Sequence, residues 1–109
     1  AEETIFPVAE EQDLGVIARV PLASGFLTGK YQPGHVFASD DVRSMRPQQG
    51  IDREINAALK VLQEKPADMA AAAWANAWCL KQSRVAAVIP GIKSLAQLEA
   101  NALAGSLTL

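Results

Sequence analysis

The sequence predicts an α/β fold built on a parallel sheet, and three observations carry that prediction. Two short runs, at about residues 16–20 and 86–89, are β-branched and close at Pro21 and at Pro90–Gly91. Both are apolar nearly throughout instead of alternating, as strands covered on two faces are. Helical periodicity fills the stretches between and around them, so the order is helix, strand, long loop, two helices, strand, helix.

Each element has its own signal. Residues 1–13 suit a short amphipathic helix, with Ile5, Val8 and Ala9 on one face and Glu2, Glu3, Glu10 and Glu11 in water. Pro7 tolerates only a helix end or a kink there. The connection from Pro21 to Gly50 holds four glycines and is long enough to be functional or disordered. A helix over about 51–64 carries the stripe Ile51, Ile55, Leu59 and Leu62. Pro66 and Asp68 mark the start of the next, about 67–82. That helix is apolar almost all round, which predicts packing on several sides, with Trp74 and Trp78 sharing a core face at i, i+4. The last helix runs from 94 to about 104.

Composition narrows the function. Half of the 109 residues are apolar and 20% are charged, an ordinary balance for a soluble domain. A net charge of −2 gives no global attraction to nucleic acid or to an anionic membrane. The apolar tract from Met69 to Trp78 is too short to span a bilayer and is interrupted by Asn76. The expected location is cytoplasmic. Cys79 and His35 are each the only residue of their type, so neither a disulfide nor a cysteine-based metal cluster forms within the chain, and no metal ligands are assigned. Cys79 reads as a buried, inert thiol. Two central strands with open edges also predict a missing partner: the rest of a larger sheet, or a second copy of the chain.

Chemistry concentrates where the two strands end. Gly25 to Tyr31 resembles a phosphate loop but has three residues between its glycines and Tyr31 after Lys30, which excludes a Walker A loop. No Gly-x-Gly-x-x-Gly is present, so a Rossmann fold has no support. The small residues Ser24, Gly25, Thr28 and Gly29, followed by Lys30, still offer N–H groups and a positive charge to a phosphate. A plain surface turn accounts for them equally well. In the second loop, Gly91 turns the chain, Lys93 adds charge, and a helix begins at Ser94, a favourable place for an anion. Ser94 and Gln97 alone also make a capping box.

Three segments together resemble the aldo-keto reductase family. Pro21-Leu-Ala-Ser-Gly-Phe-Leu-Thr-Gly-Lys30 is similar to that family's segment after barrel strand seven. Ile89-Pro-Gly-Ile-Lys-Ser94, with Gln97 and Asn101, is similar to the segment after strand eight, and Phe37-Ala-Ser-Asp-Asp-Val-Arg43 to a motif between them. The resemblance implies that residues 1–109 are the C-terminal fragment of a (β/α)8 TIM barrel. It implies NADPH as cofactor, with Pro21, Leu22, Ser24, Gly25 and Lys30 around the pyrophosphate. Gly91, Lys93, Ser94, Gln97 and Asn101 would surround the adenosine 2′-phosphate and adenine, and Arg43 would add an adenosine or phosphate contact. The implied reaction is reduction of a small aldehyde or ketone, with the catalytic residues upstream of Ala1. Arg19 and Val20 stand where the family often has an aromatic residue and serine, and Ala100 where it has an acid. The alternatives are a short interaction module that pairs with itself or a partner, and a nicotinamide-sensing, non-enzymatic subunit.

Overall fold

A computed structural model describes all of residues 1–109. The helices are α1 (Ile5–Glu11), α2 (Gln48–Leu62), α3 (Ala71–Leu80) and α4 (Leu95–Ala102). The strands β1 (Val16–Arg19) and β2 (Val85–Ile89) pair in parallel and form a two-stranded sheet. Arg19 lies opposite Ile89, with one register irregularity between Val16 and Ile17. Three 3-10 turns, Phe26–Thr28, Val42–Met45 and Leu103–Ser106, complete the elements.

The core sits away from the sheet. Phe26 and Phe37, from the long connection, pack with Ile51, Ile55 and Ala58 of α2, and Leu27, Tyr31 and Leu59 close over them. Sequence composition alone leaves this connection functional or disordered; its aromatic residues instead fold it onto the apolar stripe of α2. The stripe holds Ile51 and Ile55 buried, while Leu59 and Leu62 are half-buried. A second layer forms where α3 packs against β2 and α4. Five consecutive α3 residues, Ala73 to Ala77, are buried, so this helix is covered on every side at its middle.

Several boundaries and exposures differ from the sequence expectation, each for a physical reason. α1 begins at Ile5, and Pro7 falls in its first turn, where a missing N–H costs nothing. Ile5 and Val8 are exposed, and only Ala9 of that face is buried. α2 takes in Gly50 and starts at Gln48, directly after Pro47, whose extended backbone caps it. α3 starts at Ala71; Pro66 and Asp68 lie in a turn in which the Lys65 ammonium donates to the carbonyls of Pro66 (2.8 Å) and Met69 (2.6 Å). Trp74 is buried, but Trp78 is 47% exposed. Trp78 lines a groove of about 560 Å³ together with Phe6, Ala18, Cys79 and Val85. Cys79 is half-buried, not buried as the sequence suggests, and that partial burial pushes its thiol pKa up.

The strands are not covered on two faces within this chain. Ile17 and Ile89 are 63% and 57% exposed. The radius of gyration is 15.0 Å, against about 13 Å for a compact 100-residue domain. Each strand also has one unpaired edge, open to pairing with a further strand. No helix is long and apolar enough to cross a membrane.

Candidate functional site

Because Arg19 and Ile89 are paired, the loops that follow them leave adjacent strands side by side at their carboxyl ends. Ligands of parallel α/β folds gather there. The first loop opens on strain. Val20 has φ of 54° although it is β-branched and precedes proline, two conditions that each disfavour that region. Such a residue costs about 1–3 kcal/mol and concentrates at functional sites. After buried Pro21, three successive residues are left-handed: Ala23 (50°), Ser24 (59°) and Gly25 (88°). The carbonyl of Leu22 accepts from the N–H groups of Gly25 and Leu27, while the N–H groups of Leu22 and Ser24 donate to nothing in the chain. A concave turn with free amides suits an anion. Lys30 is exposed at its far end.

Arg43 holds this turn from across the loop. Its Nη1 donates to the Ser24 carbonyl at 2.8 Å, and its Nη2 to the Tyr31 hydroxyl at 3.2 Å. Nε and Nη2 donate to the two oxygens of Asp41, at 3.0 and 2.7 Å. The guanidinium lies 4.1 Å from the Phe37 ring centre and 5.0 Å from that of Tyr31. Four N–H donors are thus spent inside the loop. The hydrogen bonds from Arg43 hold the Asp41 carboxyl well below the usual carboxylate range. The Lys93 ammonium, on the second loop, adds a smaller push in the same direction.

The second loop runs from Pro90 into α4. Gly91, Lys93, Ser94 and Gln97 are all exposed. Ser94 caps α4, its hydroxyl accepting from the Gln97 N–H at 3.2 Å. The Gln97 side chain reaches back to the Lys93 N–H at 2.7 Å, one residue further than a standard capping box. The N–H groups of Leu95 and Ala96 stay unused at the positive end of the helix. Asn101 is half-buried; its Nδ2 donates to the Gly91 carbonyl at 3.5 Å and its Oδ1 accepts from Asn76 Nδ2 at 3.0 Å.

The aldo/keto reductase family model matches residues 1–109, the whole of the chain. This chain belongs to the aldo/keto reductase family. It is 38% identical over 119 residues to an uncharacterized oxidoreductase of Mycobacterium tuberculosis (strain ATCC 25618 / H37Rv), covering 100% of this chain and 34% of that protein. It is 34% identical over 100 residues to the L-glyceraldehyde 3-phosphate reductase of Escherichia coli (strain K12), covering 84% of this chain and 29% of that one. A solved structure, the glycerol dehydrogenase AKR11B4 from Gluconobacter oxydans, superposes with a TM-score of 0.72 at 27% identity. That match covers 99% of this chain and 34% of the other. The chain therefore spans about a third of the length of the relatives it matches, and its two strands are part of an aldo/keto reductase barrel.

Within this aldo/keto reductase segment the structure gathers Pro21, Leu22, Ser24, Gly25 and Lys30 on one loop, and Gly91, Lys93 and Ser94 on the neighbouring one with Gln97 in the first turn of α4. It commits Arg43 and Asn101 largely to partners inside the protein. Asn76 is a residue that sequence reasoning missed. It reads there only as an interruption of an apolar tract, yet it is 0% exposed and bonded to Asn101. A polar residue in the middle of an all-apolar helix was the available signal. Tyr31 and His35 have residue types suited to proton transfer, but the Tyr31 hydroxyl is tied to Arg43 and its ring packs 4.9 Å from His35. No cluster of His, Cys, Asp and Glu suited to a metal is present.

Proposed function

We propose that this segment holds the dinucleotide of an NADPH-dependent reductase of small aldehydes or ketones. The observation that carries the reading is the pairing of two anion-ready loops on adjacent parallel strands. The Leu22 and Ser24 amides and Lys30 would meet one phosphate group, and the start of α4 with Lys93 another. The residues fit such a ligand because these amides are unused and the turn itself carries the small residues Ala23, Ser24 and Gly25. When bound, the dinucleotide supplies the hydride for carbonyl reduction.

The roles of the chain's own residues follow from charge and shape. Leu22 and Ser24 would donate backbone hydrogen bonds to the pyrophosphate, with Pro21 and Gly25 shaping the turn and Lys30 balancing its charge. Lys93 and Ser94 would hold the adenosine 2′-phosphate, assisted by the α4 amides, which favours NADPH over NADH. Gly91, Gln97 and Asn101 would border the adenine. The proton donor for the carbonyl would come from the remaining barrel strands, so the 109-residue chain alone is expected to be inactive. The setting is cytoplasmic.

The test compares wild type and Lys93→Glu in the barrel-length protein that contains this segment. Dissociation constants for NADPH and NADH are read by fluorescence titration. Reversing a charge beside the 2′-phosphate should weaken NADPH about tenfold or more and leave NADH nearly unchanged. Equal effects on both would remove Lys93 from the 2′-phosphate. A wild type that binds neither dinucleotide, and reduces no carbonyl with either, would overturn the reading.

A further inference from the structure

Asn76 is an expensive residue for its place. Its side chain is fully buried at the centre of α3, between Trp74, Ala75 and Ala77. Its Nδ2 has one partner, Asn101 Oδ1 at 3.0 Å, and its Oδ1 has none. A buried acceptor left unpaired destabilises the fold, and an apolar residue of the same shape would avoid that cost. Packing therefore gives no reason for asparagine here, while the single hydrogen bond it makes leads directly to the second loop.

That bond decides how Asn101 is turned. Asn101 Nδ2 faces the Gly91 carbonyl at 3.5 Å. With the Asn101 amide reversed, its oxygen would oppose the Gly91 oxygen, and two acceptors would meet. The Asn76 donor locks the opposite arrangement by occupying Asn101 Oδ1. Of the two hydrogens on Asn101 Nδ2, one points to Gly91 and the other remains to donate. An adenine ring offers acceptor nitrogens on its edges, and an oriented amide donor reads such an edge.

We propose that Asn76 is a positioning residue of the adenine end of the site. It acts through Asn101, fixing that amide as a donor toward the ring, and touches no ligand itself. The proposal rests on the reading that this segment holds an adenine dinucleotide.

The test uses the barrel-length protein with Asn76→Leu, which keeps the branched shape, and Asn76→Ala in case the larger side chain overpacks. NADPH, 2′,5′-ADP and nicotinamide mononucleotide are titrated against each, and thermal unfolding is recorded without ligand. The expected result is a loss of about three- to tenfold in affinity for NADPH and 2′,5′-ADP by the same factor. Nicotinamide mononucleotide should bind as to wild type, and the Tm of at least one variant should be no lower than wild type. In an Asn101→Ala background, Asn76→Leu should add nothing further, since the two residues act as one unit. Unchanged NADPH affinity in the variants, or equal losses for all three ligands, overturns the proposal; the second outcome would make Asn76 a general structural residue. Asn101→Ala with full NADPH affinity overturns it too, because the relay would then end nowhere. If wild type binds neither NADPH nor 2′,5′-ADP, the functional reading itself has failed, and that failure is visible before any variant is made.

Discussion

Substituting alanine for Gly25 tests whether the first loop is held by Arg43 or merely rests beside it. Gly25 has φ of 88°, and a methyl group there would meet Arg43 Nη1 at 3.1 Å and the Tyr31 ring edge at 3.7 Å. Gly34 provides the control: its φ is 89°, yet nothing lies within 4 Å of an added Cβ. Alanine at either site pays the left-handed penalty, about 1–2 kcal/mol. At Gly25 alone the guanidinium must also yield. It cannot shift freely, because Asp41, Tyr31 and the ring of Phe37 surround it. Losing its charged hydrogen bond to the Ser24 carbonyl adds about 1.5–3 kcal/mol. The expected totals are about 2.5–5 kcal/mol for Gly25→Ala and about 1–2 kcal/mol for Gly34→Ala. Equilibrium urea unfolding of the barrel-length protein, followed by the fluorescence of buried Trp74, gives both values. In an Arg43→Ala background the excess at Gly25 should vanish, a coupling of about 1.5–3 kcal/mol. Equal costs at Gly25 and Gly34, or simple additivity of Gly25→Ala with Arg43→Ala, would refute the idea that Arg43 holds the turn.

Two further outcomes follow from the same loop. Phe26 is 1% exposed and packs edge-on against Tyr31 with ring centres 6.1 Å apart. Phe26→Ala should cost about 3–5 kcal/mol in the same urea assay and detach residues 21–46 from α2, seen as faster amide hydrogen exchange in that segment alone. Asp41 has a folded pKa below its ordinary 3.8, so the folded state binds fewer protons than the unfolded one in acid. Its contribution is complete above the unfolded pKa and is lost as pH falls below about 4 toward the folded value. Asp52, held down by the Gly34 N–H and then by Gln48, acts in the same direction. Stability of wild type should decline through that window, and Asp41→Asn should flatten the decline; an unchanged slope would mean that Asp41 is not paired in solution.

The parallel alternation was legible because it depends on local patterns. Val16 to Arg19 and Val85 to Ile89 are short, β-branched and punctuated by proline, and α2 displays its stripe directly. The anion loops were legible for a similar reason, since glycine, serine and lysine after a strand advertise free amides and charge. What escaped were features set by tertiary partners. Trp78 shares a face with Trp74 in the sequence, yet it is exposed beside an open groove while Trp74 is buried. α3 starts at Ala71, after a turn in which Lys65 binds the carbonyls of Pro66 and Met69. The three aromatic residues Tyr31, His35 and Phe37 look like loop residues until Arg43 stacks among them. Asn76 could be seen as anomalous, but its partner lies 25 residues away and no pattern in the sequence connects them.

The small core makes these side-chain links the main source of precision at the site. Only 14 of 109 residues are buried, and the largest apolar cluster lies under the first loop, not beneath the sheet. Two strands of four and five residues cannot by themselves fix loops that extend well beyond their ends. Each loop is instead tied at backbone carbonyls: Ser24 by Arg43 and Gly25 by Thr28 in the first, and Gly91 by Asn101, with Asn76 behind it, in the second. Both loops leave neighbouring amides unused. A carbonyl that is held fixes the peptide plane it belongs to, and with it the backbone angles on either side. The held carbonyls therefore restrict the backbone angles beside the free N–H groups before any ligand arrives, which lowers the ordering cost of binding an anion there.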